Sequence, residues 1–377
     1  MKIKNPSMVT AKRIDTLRKG MQRLHIDTMM ISNDENRRYL SGFTGKDTQF
    51  DESAGTLFIT PEVLLLATDS RYETQAAAEA AGFTIYCYKE VLQKSMPDIL
   101  RSLNSKRVGF ESLRISVKNH GKISEALKLK KIDIELVPVE DLVETQRMIK
   151  SKAEIEAIRK SLAVAESAFS ALIESLRPGM TESEAAWSLE KRIRESGAEG
   201  LSFPIIAASG PNSALPHAIP GNRKFTPGEP ILFDWGATVD GYCSDISRTL
   251  FFGKPNSLFK KIFTIVKDAQ ERAIHAIRPG ASSKAVDRIA RSYISKKGFK
   301  HRFGHGLGHG VGLAIHEAPR LNPTKETVLT PGMVVTVEPG IYLPGIGGIR
   351  LENMVVVCKD GADVLNRLDI SDSLVNW

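Results

Sequence analysis

The sequence has 377 residues, 42% of them apolar and 25% charged, with three cysteines and a formal net charge of +8. That length suggests two domains of ordinary globular composition, and the balance excludes a disordered chain, a collagen-like fibre and a coiled-coil rod. The charge excess is spread, with 24 basic against 20 acidic side chains in residues 1–150 and 28 against 24 in the rest. Nucleic-acid binding proteins cluster their charge, so no nucleic-acid partner is expected.

The start, MKIKNPSMVTAKR, has no apolar stretch after its lysines and does not read as a signal peptide. No run approaches the ~18 apolar residues of a membrane span, so no membrane association is expected. Cys87, Cys243 and Cys358 are too scattered for a disulfide framework, which points to a reducing compartment, the cytoplasm. Residues 10–24 place Ile14, Leu17, Met21 and Leu24 at helical spacing. Residues 27–32, 55–60, 64–68 and 84–88 read as strands, with a helix-forming YETQAAAEAAG between the last two. This alternation predicts an α/β amino-terminal domain over 1–147, without nucleophile, metal cluster or phosphate loop.

A boundary falls near residue 148. Ser151 and Glu154 form a capping box, in which each side chain satisfies a backbone N–H at the start of a long helix. Within 148–377 a repeat follows. Leu176-Arg-Pro-Gly179 recurs as Ile277-Arg-Pro-Gly280, and His217-Ala-Ile-Pro220 as His316-Glu-Ala-Pro319. A hairpin at 231–252 has its counterpart at 334–357. The second domain therefore reads as a duplicated helix–helix–strands unit, with a cleft for a site on the axis between copies.

The first hairpin, ILFDWGATVDGYCSDISRTLFF, turns at Asp240-Gly241, a strong two-residue turn signal. That register sets Gly236 opposite Asp245 and leaves Asp234 on the same face, two carboxylates within reach of one ligand. Taken alone, the hairpin is equally compatible with a turn aspartate and an exposed strand aspartate. The second hairpin, VVTVEPGIYLPGIGGIRLENMVVV, turns near Gly345 and sets Glu338 opposite Glu352, each among apolar neighbours. An unpaired carboxylate in such a strand is expensive to bury, and a cation offsets the cost. Cys243, two residues before Asp245, is expected as a small buried thiol.

Four of the eight histidines, His301, His305, His309 and His316, fall in HRFGHGLGHGVGLAIHEAP. The alternating glycines each cost a helix about 1 kcal/mol relative to alanine. The segment is instead read as extended backbone that approaches another group closely, with one histidine a metal ligand and another a hydrogen-bond donor. Four carboxylates and one histidine make an oxygen-rich site for two divalent ions, manganese, cobalt or iron more naturally than zinc. The reaction class is metal-assisted hydrolysis.

Together the motifs DxG…GYxSDxSRT, GHGxGHGxGLxxHE, TVEPGIY and GIRLEN resemble those of the pita-bread metallopeptidases: methionine aminopeptidase, aminopeptidase P, prolidase and the non-metal relative creatinase. The resemblance covers residues 148–377 well. NDENRRYLSGFTG and TDSRY in the first half resemble the amino-terminal domain of prolidase, aminopeptidase P and creatinase. Methionine aminopeptidase lacks that domain and creatinase lacks the full ligand set. The resemblance implies an α/β (α+β) chain, a creatinase-like domain followed by a pita-bread domain. It also implies two metal ions, manganese first, held by Asp234, Asp245, His309, Glu338 and Glu352. Asp245 and Glu352 would bridge the metals, and Glu338 would take the proton of the attacking water. His217 and His316 would stabilise the oxyanion. His305 would line a proline pocket, Arg320 would lie near the substrate carboxylate, and Arg350 would orient Glu352.

The activity so implied is release of the residue before proline from a peptide or dipeptide, by a homodimer. Whether the enzyme is an aminopeptidase P or a dipeptidase stays open. Two alternatives remain: a metal-dependent hydrolase or lyase acting on a small non-peptide, and a non-catalytic binding protein on the same fold. The complete ligand set argues against the second.

Overall fold

The computed structural model describes residues 6–47 and 52–369, with the backbone of 374–375. The first five residues of the amino-terminal stretch lie outside the described residues. The chain divides into two compact units, Met1–Arg147 and Met148–Trp377. Among the described residues no helix is long and apolar enough to cross a membrane.

The first unit is built on a mixed six-stranded sheet. Its order is Thr84–Cys87, Leu64–Thr68, Thr56–Ile59, Thr28–Ile31, Arg107–Glu111, Glu135–Val139. Thr28–Ile31 and Thr56–Ile59 are buried at every position, because a central strand covered on both faces needs a continuous apolar run. The helix Met8–Arg23 buries Ile14, Leu17 and Met21. Leu24, which the spacing adds to that stripe, caps the helix and is 44% exposed. The NDENRRY segment has a structural role within this unit. Asn33 caps the helix Asp34–Ser41 by accepting the Asn36 N–H. Arg37 is fully buried and donates to the Gly45 and Gly55 carbonyls, 2.6 Å each.

The second unit shows the duplication directly. Lys152–Ile173 and Glu182–Glu195 form the helix pair of the first copy, and Ser257–Ala276 and Ser283–Ile294 that of the second. The Ser151–Glu154 capping box is present, and Thr181 and Glu184 form another. The Gly179 N–H donates to Phe225 and the Gly280 N–H to Leu329, both at 2.9 Å. The Glu182 N–H likewise donates to Arg223, and the Ser283 N–H to Thr327. The helices of each copy cover its own hairpin. In the first, Trp235 stacks on Phe169 with centroids 3.9 Å apart and donates its indole N–H to the Ala165 carbonyl. In the second, Val266, Ala269 and Val286 pack with Val335, Val337 and Val355.

The two hairpins meet side by side. The Thr249 hydroxyl donates to the Arg350 carbonyl, and the Glu352 N–H donates to the Ser247 carbonyl. This is the pita-bread architecture expected from the motifs, and it brings the carboxylate-bearing strands of both copies to one cleft.

Candidate metal centre

In the first hairpin Asp240 and Gly241 have φ of 51° and 77°, the paired positive angles of a tight two-residue turn. The pairs Thr238↔Cys243 and Trp235↔Ile246 bracket Gly236 opposite Asp245, the register expected. In the second hairpin Val337↔Asn353 and Gly340↔Arg350 bracket Glu338 opposite Glu352. One carboxylate oxygen each from Asp234, Asp245 and Glu352 lies within 4.8 Å of the others. Among the described residues this is the single group of three or more such side chains.

His309 comes from Gly308–Gly310, a short strand rather than a helix. A Cβ at Gly308 would lie 2.0 Å from the Thr336 carbonyl oxygen. The glycine thus permits the close approach that carries His309 into the cleft. The His309 N–H donates to the Thr336 hydroxyl at 3.1 Å. Its Nε2 lies 3.4 Å from Asp245 Oδ2 and 3.4 Å from Glu338 Oε1. Nδ1 faces the Gly310 carbonyl at 3.1 Å. A carbonyl only accepts, so Nδ1 carries the proton and Nε2 turns its lone pair to the carboxylates. Burial, then His316, pushes the His309 pKa down to about 3, so the ring is neutral at pH 7.

The carboxylates are strained electrostatically. Burial raises Asp245 and Glu352 well above the usual range; repulsion from Glu352 adds to the first, and repulsion from Glu338 and Asp234 to the second. Burial pushes Glu338 up to about 8. Asp234 Oδ1 and Glu352 Oε1 are buried with no hydrogen-bond partner. Leaving such atoms unsatisfied costs about 1–3 kcal/mol each, more when charged. Divalent cations among these oxygens would satisfy both and offset the repulsion. The residues present therefore fit the metals the motifs imply.

Arg350 supports two of the carboxylates from behind the site. Its guanidinium donates to Asp234 Oδ2 at 2.5 Å, not to Glu352. It reaches Glu352 only through Ser247, whose hydroxyl accepts from Arg350 Nε and donates to Glu352 Oε2, both at 2.8 Å. Ser247 is the register partner of Asp234, so a side chain lying across Ser247 arrives at Asp234.

A cavity of about 590 Å³ opens over these groups. His217, His316, His305 and Arg320 line it with Asp234, Asp245, His309 and Glu338. The His316 ring stands 4.4 Å from the His309 ring, nearly perpendicular. Phe203, Pro204, Ile205, Ile206, Ile219 and Ile315 give the cavity an apolar wall. Both nitrogens of His305 are engaged. Nδ1 donates to the Gly306 carbonyl and Nε2 accepts from the Tyr342 hydroxyl, 2.8 Å each. That hydroxyl in turn accepts from Arg350 at 3.0 Å. Tyr342 and Ser247 were not singled out from sequence. A tyrosine in an apolar strand is a usable signal, since a buried hydroxyl needs a partner. Cys243 is buried, as expected.

The fold and donor set are those of a metal-dependent hydrolase. Residues 156–359 match metallopeptidase family M24, and residues 13–149 match the creatinase/prolidase N-terminal domain. The chain is 37% identical to the Xaa-Pro dipeptidase of Pyrococcus furiosus, over 95% of this chain and 98% of that one. Its fold is similar to a solved Xaa-Pro dipeptidase from Bacillus anthracis, with TM-score 0.91 and 36% identity over 98% of this chain and all of that one. It is also similar to an X-Pro aminopeptidase from Thermotoga maritima, with TM-score 0.84 and 37% identity over 95% of this chain and all of that one. The chain belongs to metallopeptidase family M24.

Proposed function

We propose that this chain is a two-metal exopeptidase that hydrolyses the bond between an amino-terminal residue and proline. The observation that carries the reading is the cleft itself: four carboxylates and a neutral imidazole converge there, with Asp234 Oδ1 and Glu352 Oε1 unpartnered. Asp234, Asp245, His309, Glu338 and Glu352 are the proposed ligands. Two manganese ions are the proposed complement, with cobalt, iron or zinc able to replace them. When bound, the metals supply Lewis acidity and lower the pKa of a water.

The chain's own residues do the rest. Glu338 accepts the proton of the attacking water as general base. His217 and His316, facing the cavity from equivalent places in the two copies, donate to the oxygen that gains charge. His305 has both nitrogens occupied, so it offers its ring as a wall for proline. Arg320 meets a substrate carboxylate, and Arg350 fixes Asp234. A bond to proline has no N–H, so a site that asks for none suits it. The domain boundary at 147/148, a homodimer and a cytoplasmic location belong to the same proposal. The scatter of the three cysteines along the sequence, with no CxxC, supports the last.

The test is hydrolysis of Ala-Pro and Ala-Pro-Ala by manganese-loaded protein against a chelated control. Cleavage of the dipeptide alone makes it a dipeptidase, and cleavage of the tripeptide an aminopeptidase. If protein shown to hold two metals cuts neither, the peptidase reading fails and the non-peptide hydrolase replaces it.

A further inference from the structure

Two buried acidic side chains outside the ligand set hold the loops that carry His217 and His316. Glu182 begins the second helix of the first copy and is fully buried. Its Oε1 accepts from the Ser209 N–H at 2.7 Å and the Ser209 hydroxyl at 3.0 Å. Asn212 donates to both of its oxygens, and the Gly221 N–H donates to Oε2 at 3.1 Å. Ser209 and Gly221 are the two ends of the segment that projects His217 over the cleft. One carboxylate thus closes both ends of that segment. Four donor groups on it satisfy a buried charge without a cation.

The second loop has a different anchor in the same role. Glu317 Oε1 accepts from the Ala314 N–H at 3.0 Å, which closes the turn containing His316. Its Oε2 lies 3.2 Å from the Lys150 ammonium, and both side chains are nearly fully buried, at 1% and 6% exposed. The Lys150 N–H is itself tied to the Gly332 carbonyl. A buried pair of this kind is weak evidence for stability, because desolvation offsets the attraction. It is better evidence for a fixed geometry.

We propose that Glu182 and the Lys150–Glu317 pair are positioning residues, which hold His217 and His316 where they meet the reacting oxygen. This rests on the peptidase reading for its catalytic consequence, but not for the mechanical one. A misplacement of about 1 Å at a catalytic group costs up to about a hundredfold in rate.

The experiment uses the full chain with both metals loaded. Glu182→Ala is expected to keep its metal content, to lower kcat about tenfold or more and to leave KM within about twofold. In a His217→Ala background the same change is expected to cost nothing further. Lys150→Met is expected to behave in the same way against His316→Ala. Hydrogen exchange is the second readout: amides of 209–221 exchange faster in Glu182→Ala, while those of 230–252 do not. Asn212→Ala removes one donor and leaves the carboxylate partnered, so it loosens the same segment if Glu182→Ala fails to fold. Equal losses in the wild-type and His217→Ala backgrounds overturn the proposal. So does unchanged exchange at 209–221. If the wild type cuts no Xaa-Pro substrate, the peptidase reading is lost, and the exchange result alone decides whether Glu182 holds the loop.

Discussion

Chelating the metals should produce a chain whose second unit loses stability as pH rises, and the size of the loss follows from one side chain. Glu338 stands at about 8 in the folded chain, raised from 4.5 by burial. Between those two values the folded chain keeps a proton that the unfolded chain has released. The stability tied to this group is therefore complete below about pH 4.5 and is lost as pH climbs through about 8. At ~1.4 kcal/mol per pH unit, the loss is about 5 kcal/mol. Asp245 and Glu352 are shifted in the same direction and add to it. In a unit of this size each kcal/mol moves the melting temperature by ~2–4 °C, so the fall is about 10–20 °C. Cations held among the carboxylates keep them ionised without that penalty, and protons displace the cations at acid pH. Calorimetric melting of loaded and chelated protein should therefore coincide near pH 5 and diverge by about 10–20 °C at pH 8. Groups outside the cleft titrate alike in both samples and cancel from the difference. If the two forms keep the same melting temperature across the range, these carboxylates are not what the cations offset.

Two further substitutions probe parts of the site. Tyr342→Phe removes the hydroxyl that accepts from Arg350 and donates to His305, leaving a buried ring nitrogen without a partner. kcat/KM should fall by about tenfold with unchanged metal content by atomic absorption. An unchanged kcat/KM would show that this bridge does not hold His305 for the reaction. Gly308→Ala places a Cβ 2.0 Å from a backbone carbonyl that has no freedom to swing aside. The strand must shift, at a cost of about 1–3 kcal/mol, and carry His309 with it. Thermal melting and metal titration should both weaken, and a variant that melts and binds metal like the wild type contradicts the close-approach argument.

What was legible in the sequence is what hairpin arithmetic determines. Once Asp240-Gly241 fixes one turn and the glycines near 345 the other, strand alternation alone decides that Asp234 shares a face with Asp245 and that Glu338 opposes Glu352. The glycines around His309 were legible for a similar reason, since they exclude a helix and demand a close neighbour. The direct contact of Arg350 with Asp234 was not legible, because that partner is set by the packing of one hairpin against the other. Pairing rules within a hairpin say nothing of a side chain that crosses to the next. The strand order of the first unit was illegible too. Thr28–Ile31 pairs with both Thr56–Ile59 and Arg107–Glu111, and the second pairing spans residues that carry no local signal for it.

The duplication explains why the site needs both copies and why they differ. Each hairpin brings a pair of carboxylates to the cleft, aspartates from one copy and glutamates from the other. Repulsion between the pairs makes the cleft costly without cations. The positions that follow the helix caps show the same divergence. Ser283 of the second copy accepts the Thr327 N–H and ties down only the adjacent strand end. Glu182, its equivalent in the first copy, makes the same backbone bond but carries a longer side chain that reaches on to Ser209 and Gly221. With serine at that place the second copy has no such reach, and its histidine loop takes its hold from Glu317 and Lys150. Equivalent backbones have thus acquired unlike anchors for like histidines. A substitution at Ser283 should leave His316 in place, whereas one at Glu182 should not leave His217.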